Sequence, residues 1–382
     1  MENIVEEKTN LFDVYSIFPI EIQKALGSKL WDNKGIEYLD LYGGHAVISI
    51  GHSHPEYVSA ITKQLKNIGF YSNSIQIKLQ NQLAQKLGEL SGYTDYNLFL
   101  CNSGAEANEN AFKLASFYNG RKKIIAFKQG FHGRTSLAVA ATDNPKIVAP
   151  INENENIIFL SLNDVDAFEK VFDEEICCVI IEGIQGVGGI NIPNPEFLQH
   201  LEKRCNENNS ILILDEVQSG YGRTGKFFAH QHANIKPHII TIAKGMGNGF
   251  PVAGLLINPE IEAKKEMLGT TFGGNYLACA AAISVLDVIE KEHLIENALV
   301  LGDYLKDALE DIPQIKEVRG LGLMIGIELR QPCAEIRNRL LFKNSIFTGA
   351  SSNKNTLRIL PSLAVSIDEI DQFIHALKDN LK

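Results

Sequence analysis

The sequence has no basic run and no apolar stretch long enough to cross a bilayer. The first absence leaves no footprint for a nucleic-acid backbone, and the formal net charge of −10 points the same way. The second excludes a membrane-spanning helix. Neither a nucleic-acid nor a membrane partner is expected. CxxC spacing is also missing. Cys101, Cys177, Cys178, Cys205, Cys279 and Cys333 sit mostly in apolar runs, which predicts reduced, buried thiols rather than a metal site or a disulfide framework. Repeats and low-complexity segments are absent. The opening MENIVEEKTNLFDVYS is acidic and polar, without the basic-then-apolar pattern of a signal peptide, so a cytoplasmic protein is expected. What is present is ordinary globular material. The 382 residues are 45% hydrophobic and 21% charged, enough for a large core and more than one domain.

Residues 1–29 read as an arm with a short helical piece at 19–27. Residues 29–41 read as a hairpin turned by Asp32, Asn33, Lys34 and Gly35. A glycine loop with His45 follows, then a helix after His54-Pro55 and another over 76–91. The middle of the chain alternates. Strands are predicted at 97–101, 123–127, 157–160, 177–181, 211–214 and 239–243, with helices at 103–118, 135–141, 165–171 and 195–208. Such alternation implies α/β architecture with a largely parallel sheet covered on both faces. Two helices, 276–290 and 294–309, connect to a region after Pro313 with a different pattern. Strands at 315–318, 323–329 and 356–360 alternate there with helices at 333–343 and 367–381, which reads as a smaller α+β domain.

The chemistry gathers in 211–249. One apolar run ends in Asp215. Another leads into Lys244 and a glycine cluster, Gly245, Gly247 and Gly249. Open α/β sheets bind ligands at such strand ends. Asp215 suits a protonated pyridine nitrogen, and Lys244 suits an imine with an aldehyde cofactor. A lysine among glycines is by itself an ordinary loop feature, so the argument rests on its companions. Ser103, Gly104 and Ala105 open a helix whose free N–H groups can receive a phosphate, or they are simply a capped start. Phe131 can stack on an aromatic ring, and Arg134 can grip a carboxylate; both also fit a surface loop. Glu182 follows a strand and can meet an arginine or solvent. Thr270 and Thr271 can offer hydroxyls to a phosphate or merely cap a turn. Arg358 lies in an apolar strand, where a charge needs a partner or a ligand carboxylate, unless it faces solvent from an edge. The glycines of 320–326 precede a strand instead of following one, so a dinucleotide loop is discounted.

Taken together, NSGAEANE, GFHGRT, LDEVQSGYGRTGKFFAHQ, TIAKGMGNGFP, TFGGN and LRILPSL resemble the signature set of class-III aminotransferases, most of all the branch that uses acylated ornithines. The resemblance implies a pyridoxal 5'-phosphate (PLP) enzyme of fold type I, a large mainly parallel sheet domain with a smaller α+β domain. It implies division into an arm with part of the small domain (1–70), a PLP-binding domain (71–275), connecting helices (276–310) and a C-terminal small domain (311–382). Lys244 would be the Schiff-base lysine and proton-transfer base, and Asp215 would pair with the pyridine nitrogen. Val217 and Gln218 would pack on the ring and near its hydroxyl, and Phe131 would cover the opposite face. Ser103, Gly104 and Ala105 would hold the phosphate, and Thr271 would reach the phosphate of a neighbouring subunit in a homodimer with shared sites. Thr270 would lie near the substrate. Arg134 would hold the α-carboxylate of an N-acylornithine, and Arg358 that of 2-oxoglutarate or glutamate. Glu182 would mask Arg358 in the other half-reaction.

Some positions depart from the family pattern. Gly183 stands for a proline, Val187 for an acid, Tyr276 for a proline and His45 for an aliphatic residue, and the segment before Thr270 is shortened. They border the expected substrate channel and leave acetyl versus succinyl open. Ornithine, 4-aminobutyrate and N-succinyldiaminopimelate stay open as other amine donors. A nucleotide-binding α/β protein using the 103–105 turn is the alternative from another class, but it leaves Lys244, Asp215 and Phe131 without a purpose.

Overall fold

The computed structural model describes residues 10–382. The first nine residues of the expected arm lie outside that range. The expected helical piece at 19–27 is instead a strand. β1 (Ile22–Leu26) pairs antiparallel with β2 (Lys29–Asp32), which pairs antiparallel with β3 (Glu37–Asp40). Four of the five β1 residues are exposed, so a helix here would have no apolar stripe to bury. A strand satisfies the same backbone through β2. The 29–41 hairpin forms as expected, with Asp32 accepting the Lys34 and Ile36 amides across the turn at 2.9 and 2.8 Å.

The alternating stretch supplies β4 (Asn97–Cys101), β5 (Lys123–Phe127), β6 (Ile157–Leu160), β7 (Ile176–Glu182), β8 (Ile211–Asp215), β9 (Ile239–Ile242) and β10 (Ala253–Ile257). Together they form one seven-stranded sheet in the order β4-β10-β9-β8-β7-β5-β6. β5 to β9 pair in parallel, and every residue of β7, β8 and β9 is buried, as continuous apolar runs covered on both faces should be. β10 was not expected. It runs antiparallel to both β4 and β9 and joins them. Its five residues follow a glycine-rich loop without a helix, so the alternation that marks the other strands does not mark this one. The helix Gly104–Asn119 buries Ala107, Ala111, Phe112 and Ala115 in the core on one face of the sheet. On the other face, Pro195–Asn208 buries Phe197, Leu198 and Leu201 against Leu212 and Leu214.

Helices Tyr276–Lys291 and Leu294–Leu309 share one apolar core with the C-terminal sheet of β11 (Ile315–Leu321), β12 (Met324–Leu329) and β14 (Thr356–Ile359). The glycines of 320–326 serve the β11–β12 hairpin, where Leu321 pairs with Met324. The short β13 (Ile346–Phe347) runs parallel to β3 and ties the N-terminal sheet to this end of the chain. All six cysteines are free and buried. Among the described residues, no helix is long and apolar enough to cross a membrane, and no His/Cys/Asp/Glu group is placed to hold a metal.

Leu214 is fully buried one residue before the strand end that matters most. Leu214→Ala is expected to destabilise the protein by about 2–5 kcal/mol, the usual cost of a leucine-sized cavity. A thermal unfolding transition unchanged from the parent protein would contradict that placement.

Candidate active site

β7 and β8 end side by side, with Glu182 and Asp215 in register. β9 runs out next to them into Lys244, and the helix Gly104–Asn119 starts opposite. The cleft between these ends has a volume of about 370 Å³. Its wall includes Ser103, Gly104, Ala105, Phe131, Arg134, Glu182, Asp215, Val217, Gln218 and Lys244, ten residues singled out from sequence. Arg358 is buried behind Gln218, whose Oε1 lies 3.5 Å from its Nη1. Thr270 and Thr271 do not line the cleft. Thr270 Oγ1 accepts from Asn102 Nδ2 at 3.3 Å, and Thr271 is exposed.

The acid is the most firmly held group. Asp215 Oδ2 accepts from His132 Nδ1 at 2.7 Å and from Asn108 Nδ2 at 2.8 Å, and Oδ1 accepts from the Val217 amide at 3.1 Å. Asn108 is itself held by Thr241 Oγ1 at 2.8 Å, and the His132 amide donates to Thr142 Oγ1 at 2.9 Å. Hydrogen bonds from both directions fix the carboxylate plane before any ligand arrives. His132 and Asn108 stand inside the motifs, yet sequence reasoning assigned them no role. A signal existed for Asn108. It lies four residues after Gly104, one turn along the same helix face.

Lys244 has φ +46, a left-handed conformation that costs a non-glycine residue on the order of 1–3 kcal/mol and clusters at functional sites. Desolvation in the cleft lowers its amine to about 8, with Asp215 and Glu182 opposing the fall and Arg358 adding to it. A larger share of that amine is therefore neutral and nucleophilic near pH 7 than for an ordinary lysine. Burial raises Glu182 to about 7. Its carboxylate accepts the Phe131 amide at 2.9 Å and the Gly186 amide at 3.0 Å, and so anchors two loops. In this state Glu182 spends its oxygens on these amides, while its charge still raises the Arg358 pKa against the pull of burial.

At the helix start, Ser103 Oγ accepts the Glu106 amide at 3.2 Å, so its side chain is a cap. Gly104 and Ala105 keep first-turn N–H groups turned to the cleft, a ready anion site. Gly104 allows no side chain, because a Cβ would come within 2.8 Å of Val217 Cγ1. An amine of lowered pKa, a pre-oriented acid and an anion-binding turn around one small cleft fit an aldehyde-bearing pyridine phosphate. This arrangement on this sheet defines a PLP-dependent transferase of fold type I.

The comparisons with known proteins agree. The family model described as aminotransferase class-III matches residues 13–381, and the chain belongs to that family. It is 41% identical to an acetylornithine aminotransferase of Bacillus subtilis, with 97% of each chain covered. It is 40% identical to one from Caldanaerobacter subterraneus subsp. tengcongensis, covering 99% of this chain and 98% of that one. Among solved structures it resembles the ornithine aminotransferase of Toxoplasma gondii, with TM-score 0.91, 27% identity, and 97% and 92% coverage. The acetylornithine aminotransferase of Elizabethkingia anophelis gives TM-score 0.84 at 28% identity, with 97% and 95% coverage. The enzyme is a PLP-dependent aminotransferase.

Three outcomes are expected. Cofactor capture by the cofactor-free protein should quicken as pH rises from 6 and level off above about 8, where the Lys244 amine is neutral. Lys244→Ala should leave an inactive protein that releases its cofactor on dialysis, and a flat pH profile would remove the case for the nucleophile. Asn108→Ala, which strips one of the two side-chain donors from Asp215, should cost roughly tenfold or more in kcat/KM, the worth of a hydrogen bond to a charged group.

Proposed function

We propose that the enzyme moves the δ-amino group of N2-acetylornithine, or of N2-succinylornithine, to 2-oxoglutarate. The products are N-acylglutamate 5-semialdehyde and glutamate, a step of arginine biosynthesis in the cytoplasm. The observation that carries this reading is the pair of arginines set at different depths. Arg134 is exposed at the cleft wall, and Arg358 is buried behind Gln218. The donor's α-carboxylate lies several bonds from its reacting amine and needs a receptor at the mouth. The acceptor's α-carboxylate adjoins its reacting carbon and needs one deep in the site. The sequence likeness to acetylornithine aminotransferases favours the acylated donor.

When bound, PLP supplies the aldehyde that takes up the amine and a ring that draws electrons from the reacting carbon. The chain's own residues do the rest. Asp215, fixed by His132 and Asn108, would meet the ring nitrogen. Phe131 and Val217 would hold the ring plane, with Gln218 towards the ring hydroxyl. Ser103, Gly104 and Ala105 would receive the phosphate at the helix start. Lys244 Nζ takes the proton from the amine-bearing carbon of the donor and returns one to the acceptor carbon in the second half-reaction.

The same reading makes the enzyme a homodimer with shared sites, in which Thr271 reaches the partner's phosphate and Thr270 borders the substrate. Thr271 stands outside its own cleft, next to Phe272, 60% exposed, and its ring neighbour Phe70, 44% exposed. An apolar surface of that kind beside a phosphate-type hydroxyl supports burial against a second copy.

Free ornithine is the second reading, favoured by the structural likeness to ornithine aminotransferases. A panel of N2-acetylornithine, N2-succinylornithine, ornithine, 4-aminobutyrate and N-succinyldiaminopimelate, each with 2-oxoglutarate, decides. An acylornithine is expected to give a kcat/KM at least tenfold above the others. Preference for ornithine or 4-aminobutyrate would sink the proposal.

A further inference from the structure

Arg358 is a buried cation whose hydrogen-bond partners are all neutral, although Glu182 and Arg337 act on it from further off. Its side chain, 3% exposed, points Nε at the Ala350 carbonyl at 2.6 Å and Nη2 at the Tyr42 hydroxyl at 3.3 Å, with Nη1 3.5 Å from Gln218 Oε1. None of these acceptors carries a charge. Among the described residues no carboxylate forms an ion pair with it. Glu182 is tied to two amides, and Val187 on the cleft wall is aliphatic. A buried guanidinium normally demands an anion. With no carboxylate in direct contact, neutral groups must aim this one.

The guanidinium lies over the Tyr42 ring, 5.7 Å from its centroid, within reach of a cation–π attraction. Several independent features put that ring there. Gly349 leaves the space: a Cβ at that position would lie 2.4 Å from a Tyr42 ring carbon. Asp40 Oδ1 accepts the Tyr42 and Gly43 amides at 3.0 and 2.9 Å and so fixes the backbone. Tyr42 then enters a turn in which Gly43, Gly44, His45 and Ala46 all have positive φ. The two non-glycine residues of this turn each carry strain of about 1–2 kcal/mol. That strained turn brings the His45 imidazole back against the Tyr42 hydroxyl, edge-on to its ring. Gln218 Nε2 donates to the His45 carbonyl at 3.0 Å and closes the circle with Arg358. Burial, with Lys244 and Arg358 nearby, lowers the His45 pKa. Arg358 Nη2 can only donate, so an oxygen lone pair of Tyr42 faces it and the hydroxyl proton is left for His45 in its Nε2-protonated tautomer.

We infer that Tyr42 is the positioning residue of Arg358, a neutral, displaceable cover that holds the guanidinium for the α-carboxylate of the dicarboxylate acceptor, with His45 as its keeper. The inference rests on the proposed role of Arg358. An arriving carboxylate replaces one long neutral hydrogen bond with a two-pronged charge-assisted contact. It breaks no ion pair to do so. The ring stays beneath the guanidinium and keeps its plane.

The test uses the PLP-loaded enzyme and steady-state kinetics for 2-oxoglutarate and for N2-acetylornithine separately. Tyr42→Ala is expected to lower kcat/KM for 2-oxoglutarate about tenfold more than for the amine donor, chiefly through KM. Tyr42→Phe, which keeps the ring, should recover a large part of that loss. His45→Ala should shift the acceptor in the same direction by a smaller factor. Retained visible absorbance of the cofactor checks that each variant is folded. Equal losses for both substrates in Tyr42→Ala, or a loss confined to kcat, would overturn the inference. Arg358→Ala separates the two layers. If it collapses turnover with 2-oxoglutarate while Tyr42→Ala does not, the inference alone fails. If Arg358→Ala leaves 2-oxoglutarate kinetics intact, the role of Arg358 fails and this inference with it.

Discussion

The hydrogen bonds that converge on Asp215 are the constraint on which the rest of the site depends. A strand-end acid is useful to a pyridinium only if its carboxylate stands in one plane at one height. Two donors on Oδ2 and one on Oδ1 enforce that. Each donor is in turn a structural member. Asn108 belongs to the helix whose first turn faces the phosphate position, and it is latched by Thr241 on β9, three residues before Lys244. His132 belongs to the loop that carries Phe131 and Arg134. Asp215, the helix start at Gly104, the loop of Phe131 and the lysine strand are thus joined by hydrogen bonds, and none can shift without straining another. Removal of one donor would leave a buried partner unsatisfied, which costs more than the bond itself contributes.

Much of this was legible from the residues, for a physical reason. Strands buried on both faces must be continuously apolar, so the first polar residue after each run marks a strand end. In an open α/β sheet that is where ligands sit. Asp215, Glu182 and Lys244 are all such residues. The holders were less visible. A buried asparagine or histidine that serves another side chain leaves no periodic trace, and only the one-turn spacing from Gly104 pointed to Asn108. β10 escaped because it enters from a glycine loop and runs against its neighbours, so no helix precedes it. β1 escaped because an exposed five-residue segment takes its structure from β2, not from its own pattern.

Glu182 shows how one strand-end acid can serve more than one neighbour. An acid at a strand end beside an active-site arginine reads naturally as half of an ion pair. The fold gives its two oxygens to the Phe131 and Gly186 amides, which are closer and need no further desolvation of a cation. Burial pushes the carboxyl upward, to about 7, with His132 opposing the rise and Asp215 adding to it. Its charge also reaches Arg358, whose pKa it raises against the pull of burial. It is well suited to hold two loops in register, since either protonation state retains an oxygen acceptor for each amide.

The division of labour follows from where the chain can tolerate change. The groups that bind and activate the cofactor come from the buried edge of the seven-stranded sheet, where each side chain is fixed by several others. The groups around Arg358 come from a different place. Tyr42 and His45 sit in a left-handed turn, Gly349 precedes β14, and Arg358 lies on the C-terminal sheet, so their contacts span three separate parts of the chain. A cation held by neutral ligands is adjusted by small changes in any of them: a hydroxyl, an imidazole, a missing Cβ. An ion pair offers no such gradation, because loss of either charge leaves the other buried and uncompensated. The neutral cover lets substrate preference move by steps while the lysine and acid that perform the transfer stay in place.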